Sequence, residues 1–172
     1  MNRIQYERGV CPVSQPLNKQ DFTALYERHV NMVYRLCFTY LKSRADTEDA
    51  VQNTFLKVLN SGKRFESPEH ERAFLIVTAA NTCKDALRRA FRRDEPLEDT
   101  LPAPADGRNE VLSAVLSLPE KYRELIYLTY YEGYTSQELE TMLNRPASTI
   151  RNQLREARER LKIELGGELD AN

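Results

Sequence analysis

EGYTSQELETMLNRPASTIRNQLREARERLK, running from Glu132 to Lys162, is the stretch whose reading decides the fold. It reads as two short helices joined by a tight turn and followed by one long basic helix. Gly133 is a natural stop for the helix before it. Thr135 or Ser136 is a natural N-cap for the next, because a short side-chain oxygen accepts an orphan N–H of the first turn. Leu139, Met142 and Leu143 then give a one-sided apolar face. Asn144 and Pro146 occupy the turn, and proline is tolerated in a first helical turn because the N–H it lacks has no partner there.

From about Ala147 the apolar residues recur at helical spacing. Ile150, Leu154, Ala157 and Leu161 fall on one stripe and must pack inward. The opposite face carries Ser148, Asn152 and Arg155, with Thr149 and Arg151 on its flanks. Hydroxyl, amide and guanidinium groups on the first turns of a helix are what base edges and phosphates require. A solvated face on an ordinary bundle helix is the competing reading. The sequence of short helix, tight turn and basic helix favours a helix-turn-helix DNA reader.

A chain of 172 residues accommodates one or two small domains. With 30% charged residues and six glycines, the composition favours a helical protein. The net charge of −1 conceals two opposite blocks. Between Arg72 and Arg93, six basic residues face the single acid Asp85, a net +5. Between Asp94 and Asp106 there are five acids and no base, a net −5. Separate blocks imply separate roles. Cys11, Cys37 and Cys83 have no metal-ligand spacing and form no CxxC pair, so no metal or cofactor is expected. Cys83 lies on the apolar side of its helix and reads as a buried free thiol; a redox role would fall to Cys11, in a mobile tail. With no apolar leader and no run approaching about 20 apolar residues, the expected location is cytoplasmic.

The acidic block also marks the expected domain boundary. Residues 94–109 contain Pro96, Pro102 and Pro104, no aromatic residue and little helical periodicity, and read as a flexible tether. The expected organisation is an arm over 1–20, a helical domain over 21–93, the acidic linker, a helix-turn-helix domain over 110–165 and a tail over 166–172. The fold class is all-α, with two small helical domains.

The first domain reads as three helices. The first, Asp21 to about Lys42, places Phe22, Leu25, His29, Val33, Leu36 and Tyr40 on one face, so His29 reads as a packed core imidazole. His70 stands alone in a polar loop and points to nothing catalytic. The second, Asp46 to about Asn60, buries Val51, Phe55 and Val58. Asp49, Gln52, Asn53 and Leu56 lie together on its other side, an apolar residue ringed by polar ones. A lone exposed leucine needs no explanation, but this grouping reads as a partner site. The third, Glu69 to about Arg93, buries Ile76, Ala80, Cys83 and Leu87 and lines up Asn81, Asp85, Arg88 and Arg92 opposite them. A basic stripe led by an amide suggests a second DNA contact. The loop before it, Asn60 to Pro68, carries Phe65.

Four segments in this order resemble one family: DTEDAVQNTFLKVL (Asp46 to Leu59), AFLIVTAANTCKDALRR (Ala73 to Arg89), LPEKYRELIYLTYYEGYTSQELETML (Leu118 to Leu143) and RPASTIRNQLREARERLK (Arg145 to Lys162). Over about Asp21 to Leu165 the chain resembles the extracytoplasmic-function sigma factors of bacterial RNA polymerase. The resemblance implies that Asp49, Gln52, Asn53 and Leu56 dock on core polymerase. Asp49 and Gln52 match the usual Asp-Leu-Val-Gln-Glu run, and Asn53 replaces its acid. It implies that Phe65, Asn81, Asp85, Arg88 and Arg92 serve −10 recognition and melting. Asn81 takes the place of the asparagine in the usual Ala-Arg-Asn run, Ala80 replaces the arginine, and Phe74 replaces a tryptophan. Ser148, Thr149, Arg151, Asn152 and Arg155 fall in the −35 reader, with Ser148 and Asn144 in place of usual glycines. Asparagine tolerates a positive φ better than most residues.

The resemblance implies a sigma factor that performs no covalent chemistry, takes no small-molecule substrate, binds core RNA polymerase and promoter DNA, and is held by an anti-sigma factor, often membrane-bound. The linker would run through the polymerase's RNA-exit region, or serve as a solubilising spacer. Two other readings compete. A stand-alone helix-turn-helix regulator would dimerise on a symmetric site, but no dimerisation segment is evident. A helical enzyme or adaptor would need a catalytic or metal constellation, or a repeat, and the sequence offers neither.

Overall fold

The computed structural model describes residues 18–93 and 108–166, all helix and connecting turns with no strand among them. These fall into two compact units, one on each side of the acidic block. Cys11, nearly all of the expected arm, the bulk of the linker and nearly all of the tail lie outside the described residues.

The first unit holds α1 (Lys19–Leu41), α2 (Arg44–Ser61) and α3 (Pro68–Arg93). Each start is set by a short polar side chain. Asn18 accepts the Asp21 N–H at 2.8 Å, Ser43 accepts that of Asp46 at 3.3 Å, and Ser67 accepts that of His70 at 3.1 Å. Asn18 therefore starts α1 two residues inside the expected arm. The stops at Lys42 and Gly62 take the left-handed conformation, with φ of 57° and 60°. Between the three helices lie Leu25, Val33, Leu36, Cys37 and Tyr40 of α1, Val51, Phe55 and Val58 of α2, and Leu75, Ile76, Ala80 and Cys83 of α3, all buried.

Two histidines depart from expectation. His29 is half-buried and shares a polar clasp: its Nε2 lies 2.7 Å from Glu71 of α3, which also takes the Arg28 guanidinium at 3.0 Å. The imidazole fastens α1 to α3 through a polar contact rather than apolar packing. His70 lies in the first turn of α3 and meets Phe65 edge-on at 5.8 Å, because the Ser67 cap and Pro68 start the helix before it.

The second unit holds α4 (Arg108–Ser117), α5 (Glu120–Ile126), a π-helical turn over Tyr127–Tyr131, α6 (Ser136–Leu143) and α7 (Ala147–Glu164). Glu132 to Lys162 thus contains one short helix and one long one; the other short helix, α5, precedes that stretch. Helix α4 begins inside the expected linker. Leu116, Leu125, Leu128, Leu139 and Ile150 are fully buried and form the centre of this unit.

Candidate nucleic-acid and protein interfaces

Thr135 opens α6 with a reciprocal pair of bonds. Its hydroxyl accepts the Glu138 N–H at 3.3 Å, while the Glu138 carboxylate accepts the Thr135 backbone N–H at 2.8 Å. That N–H, together with the Thr135 hydroxyl, holds the Glu138 carboxyl below the ordinary glutamate value. Asn144 closes the helix at φ 51°, the left-handed conformation its short amide tolerates. Pro146 is the N-cap of α7 rather than part of its first turn.

Helix α7 has the two faces the periodicity demands. Ile150, Leu154, Ala157 and Leu161 are buried against the rest of the unit. Ser148, Thr149, Arg151, Asn152 and Arg155 are all exposed. The helix is held along its length: Arg145 reaches Gln153 at 3.4 Å, the Tyr122 hydroxyl donates to Glu156 at 2.5 Å, and the Ser117 hydroxyl donates to Glu164 at 2.6 Å. Arg155 pairs with Glu159 at 2.8 Å. Exposed pairs of this kind contribute about 0–1 kcal/mol, so a phosphate competes readily for the guanidinium.

In the first unit, Asp49, Gln52, Asn53 and Leu56 are exposed along one side of α2, spaced so that they share a face. Leu56, at 52% exposure, is the apolar centre of this patch. On α3, Asn81, Arg88 and Arg92 are exposed, while half-buried Asp85 binds Arg88. Phe65 is not a free loop aromatic. It is half-buried, with its ring 5.4 Å from Phe74, over which the Lys63 ammonium sits at 4.7 Å. The pairing follows from the short connection between α2 and α3, which brings the loop aromatic back onto the first turns of α3.

Two features escaped the sequence reading. Lys57 of α2 donates to Thr82 of α3 at 2.9 Å, tying the two helices together through a cation. Arg145, grouped by sequence with the reading helix, instead binds the carboxylate of Glu124 on α5, and Glu124 is 1% exposed. The legible signal was Glu124 itself, an acid in the apolar run YRELIY; a buried charge requires a partner. Among the described residues, no cluster of three or more potential ligands is arranged to hold a metal ion, and no helix is long and apolar enough to cross a membrane.

The model of the family described as Sigma-70 region 2 matches residues 25–93, and that described as Sigma-70, region 4 matches residues 108–161. Among named proteins, the chain is similar to the RNA polymerase sigma factor CarQ of Myxococcus xanthus, at 31% identity over 87% of this chain and 91% of CarQ. It is also similar to the ECF RNA polymerase sigma-E factor of Haemophilus influenzae, at 29% identity over 84% and 87% of the two chains. Among solved structures, the sigma factor RpoE in complex with the anti-sigma factor NepR, from Bartonella quintana, shares the fold. It has a TM-score of 0.74 and 19% identity, covering 88% of this chain and 99% of that one. CnrH in complex with the cytosolic domain of CnrY matches with a TM-score of 0.62 and 22% identity, over 88% and 92%.

Proposed function

The chain belongs to the sigma-70 family as an extracytoplasmic-function RNA polymerase sigma factor, and on that premise we propose how its two units divide the work. As such a factor it binds core RNA polymerase and directs promoter recognition and transcription initiation. The first unit carries core binding through Asp49, Gln52, Asn53 and Leu56. Its α3 face reads and opens the −10 element through Asn81, Arg88 and Arg92, with Asp85 orienting Arg88 and Phe65 shaping the loop. The second unit reads the −35 element through Ser148, Thr149, Arg151, Asn152 and Arg155.

The observation that carries the −35 assignment is the division of α7: five buried apolar residues on one side, and five polar or basic exposed ones near its start on the other. Recognition helices enter the major groove by their first turns, where side chains meet base edges. Asn152 is assigned to a base and Arg155 to a phosphate. The chain acts without covalent chemistry, in the cytoplasm, where the polymerase works. An anti-sigma factor holds it inactive, a reading supported by the two fold neighbours, each solved with such a partner or a partner's cytosolic domain.

Pull-down with purified core polymerase followed by run-off transcription tests the division. The expected result is stable core binding and promoter-dependent initiation. Specific DNA binding by the chain alone as a dimer, with no core binding, would favour a stand-alone regulator.

A further inference from the structure

The turn that enters α7 carries a charge used inward. Arg145 follows the left-handed Asn144 and precedes the capping Pro146, so its backbone is held on both sides. One arm of its guanidinium binds the carboxylate of Glu124 on α5, and the other lies 3.4 Å from the amide oxygen of Gln153 on α7. Glu124 is 1% exposed and cannot reach DNA, and an ionised carboxylate so deeply buried demands a cation. The planar fork of arginine meets a carboxylate and a second acceptor at fixed angles, which a lysine does not. Gln153 is the immediate neighbour of Asn152.

We propose that Arg145 is a positioning residue for −35 reading: clamped between Glu124 and Gln153, it fixes the angle at which the first two turns of α7 are offered to the groove. The apolar stripe of α7 seats the helix on the unit, and the clamp sets its orientation about that seat. Ser148 and Asn152 then meet base edges without ordering the helix first, which lowers the cost of binding. This inference rests on α7 being the −35 reader.

The test uses the full chain with core polymerase and a promoter selected by the parent from a library randomised at −35. Open-complex formation is compared on that promoter and on one with the −35 element scrambled and the −10 element kept. A parent ratio of one would remove the −35 reading itself, independently of the clamp. With a parent ratio above one, Glu124→Gln and Arg145→Met are each expected to lower it about tenfold, the double variant no further, and core affinity to stay unchanged. The parent's ratio in a Glu124→Gln variant that melts like the parent would overturn the proposal. So would a loss in Arg145→Met that is equal on both promoters and has a shallower salt dependence, the mark of a phosphate contact. If Glu124→Gln melts early, Glu124→Leu/Arg145→Met is read instead, since it removes both members of the pair. It is expected to melt near the parent with a lowered ratio, and a full ratio there overturns the clamp.

Discussion

Helices α2 and α7 are built alike and dressed differently. Each buries one apolar stripe and leaves the opposite side to water. The open side of α2 has an acid, two amides and a half-exposed leucine, whereas the first turns of α7, from Ser148 to Arg155, expose two hydroxyls, an amide and two guanidiniums with no apolar residue, Ile163 being exposed only at the far end of the helix. An acidic patch with an apolar centre suits a protein partner, because it offers surface worth removing from water. A basic polar face without one suits a polyanion. Backbone geometry is common to both, so the choice of partner is written in side chains alone.

The sharpest way to break that comparison is to attack a buried side. Ile150→Ala should cost about 2–5 kcal/mol, since it leaves a cavity at a fully buried position. Calorimetry is expected to show the second unit melting early while core binding through the first survives. Loss of both together would mean the units do not stand independently.

Next in size is the open side of α7. Asn152→Ala should cost about 1–3 kcal/mol and relax preference at one −35 position. Arg155→Ala should weaken binding evenly on all promoters and flatten the salt dependence. Promoter-library selection with each variant separates the two, and an unchanged −35 preference in Asn152→Ala would remove its assignment to a base.

Smaller again is the start of α6. Thr135→Ala should cost about 1 kcal/mol of the second unit's stability. Because folding depresses the Glu138 carboxyl, its contribution is full above the ordinary glutamate value and is lost as pH falls through the lower folded value. A melting-temperature series across the acid range should therefore decline less steeply in Glu138→Gln than in the parent.

The smallest effect on stability belongs to α2. Asp49→Arg should change it by less than about 0.5 kcal/mol, since the side chain is exposed, yet weaken core binding measurably. Core affinity equal to the parent's would detach the patch from polymerase. On the same logic, Asn81→Ala should leave core affinity intact and reduce permanganate reactivity in the open complex.

Most of the architecture was legible because amphipathic helices advertise themselves. The stripes Ile150–Leu154–Ala157–Leu161 and Val51–Phe55–Val58 are buried as their spacing requires. The start of α1 at Lys19 and that of α3 at Pro68 were misplaced by one or two residues, because Asn18 and Ser67 act through single hydrogen bonds that carry no periodicity. The π-helical turn at Tyr127–Tyr131 left no sequence signal that a 3.6-residue period registers. The residues singled out on the open faces of α2 and α7 are exposed, since exposure is the complement of the stripe. What could not be read was pairing across the chain. His29 with Glu71 and Arg145 with Glu124 are distant in sequence, and a charged side chain looks the same whether its partner is a phosphate or a buried carboxylate.

Two buried thiols, Cys37 and Cys83, give the helices of the first unit a clock. Cys37 and Cys83 are both fully buried, one on α1 and one on α3. A thiol reagent in water therefore meets neither sulfur until the helices part, and the rate of labelling reports the opening of the three-helix unit rather than the reactivity of the thiol. Any partner that grips α1, α2 and α3 together should slow that labelling in proportion to how tightly it binds. Occupancy of the unit can thus be followed by chemistry on residues buried beneath the surface that a partner grips.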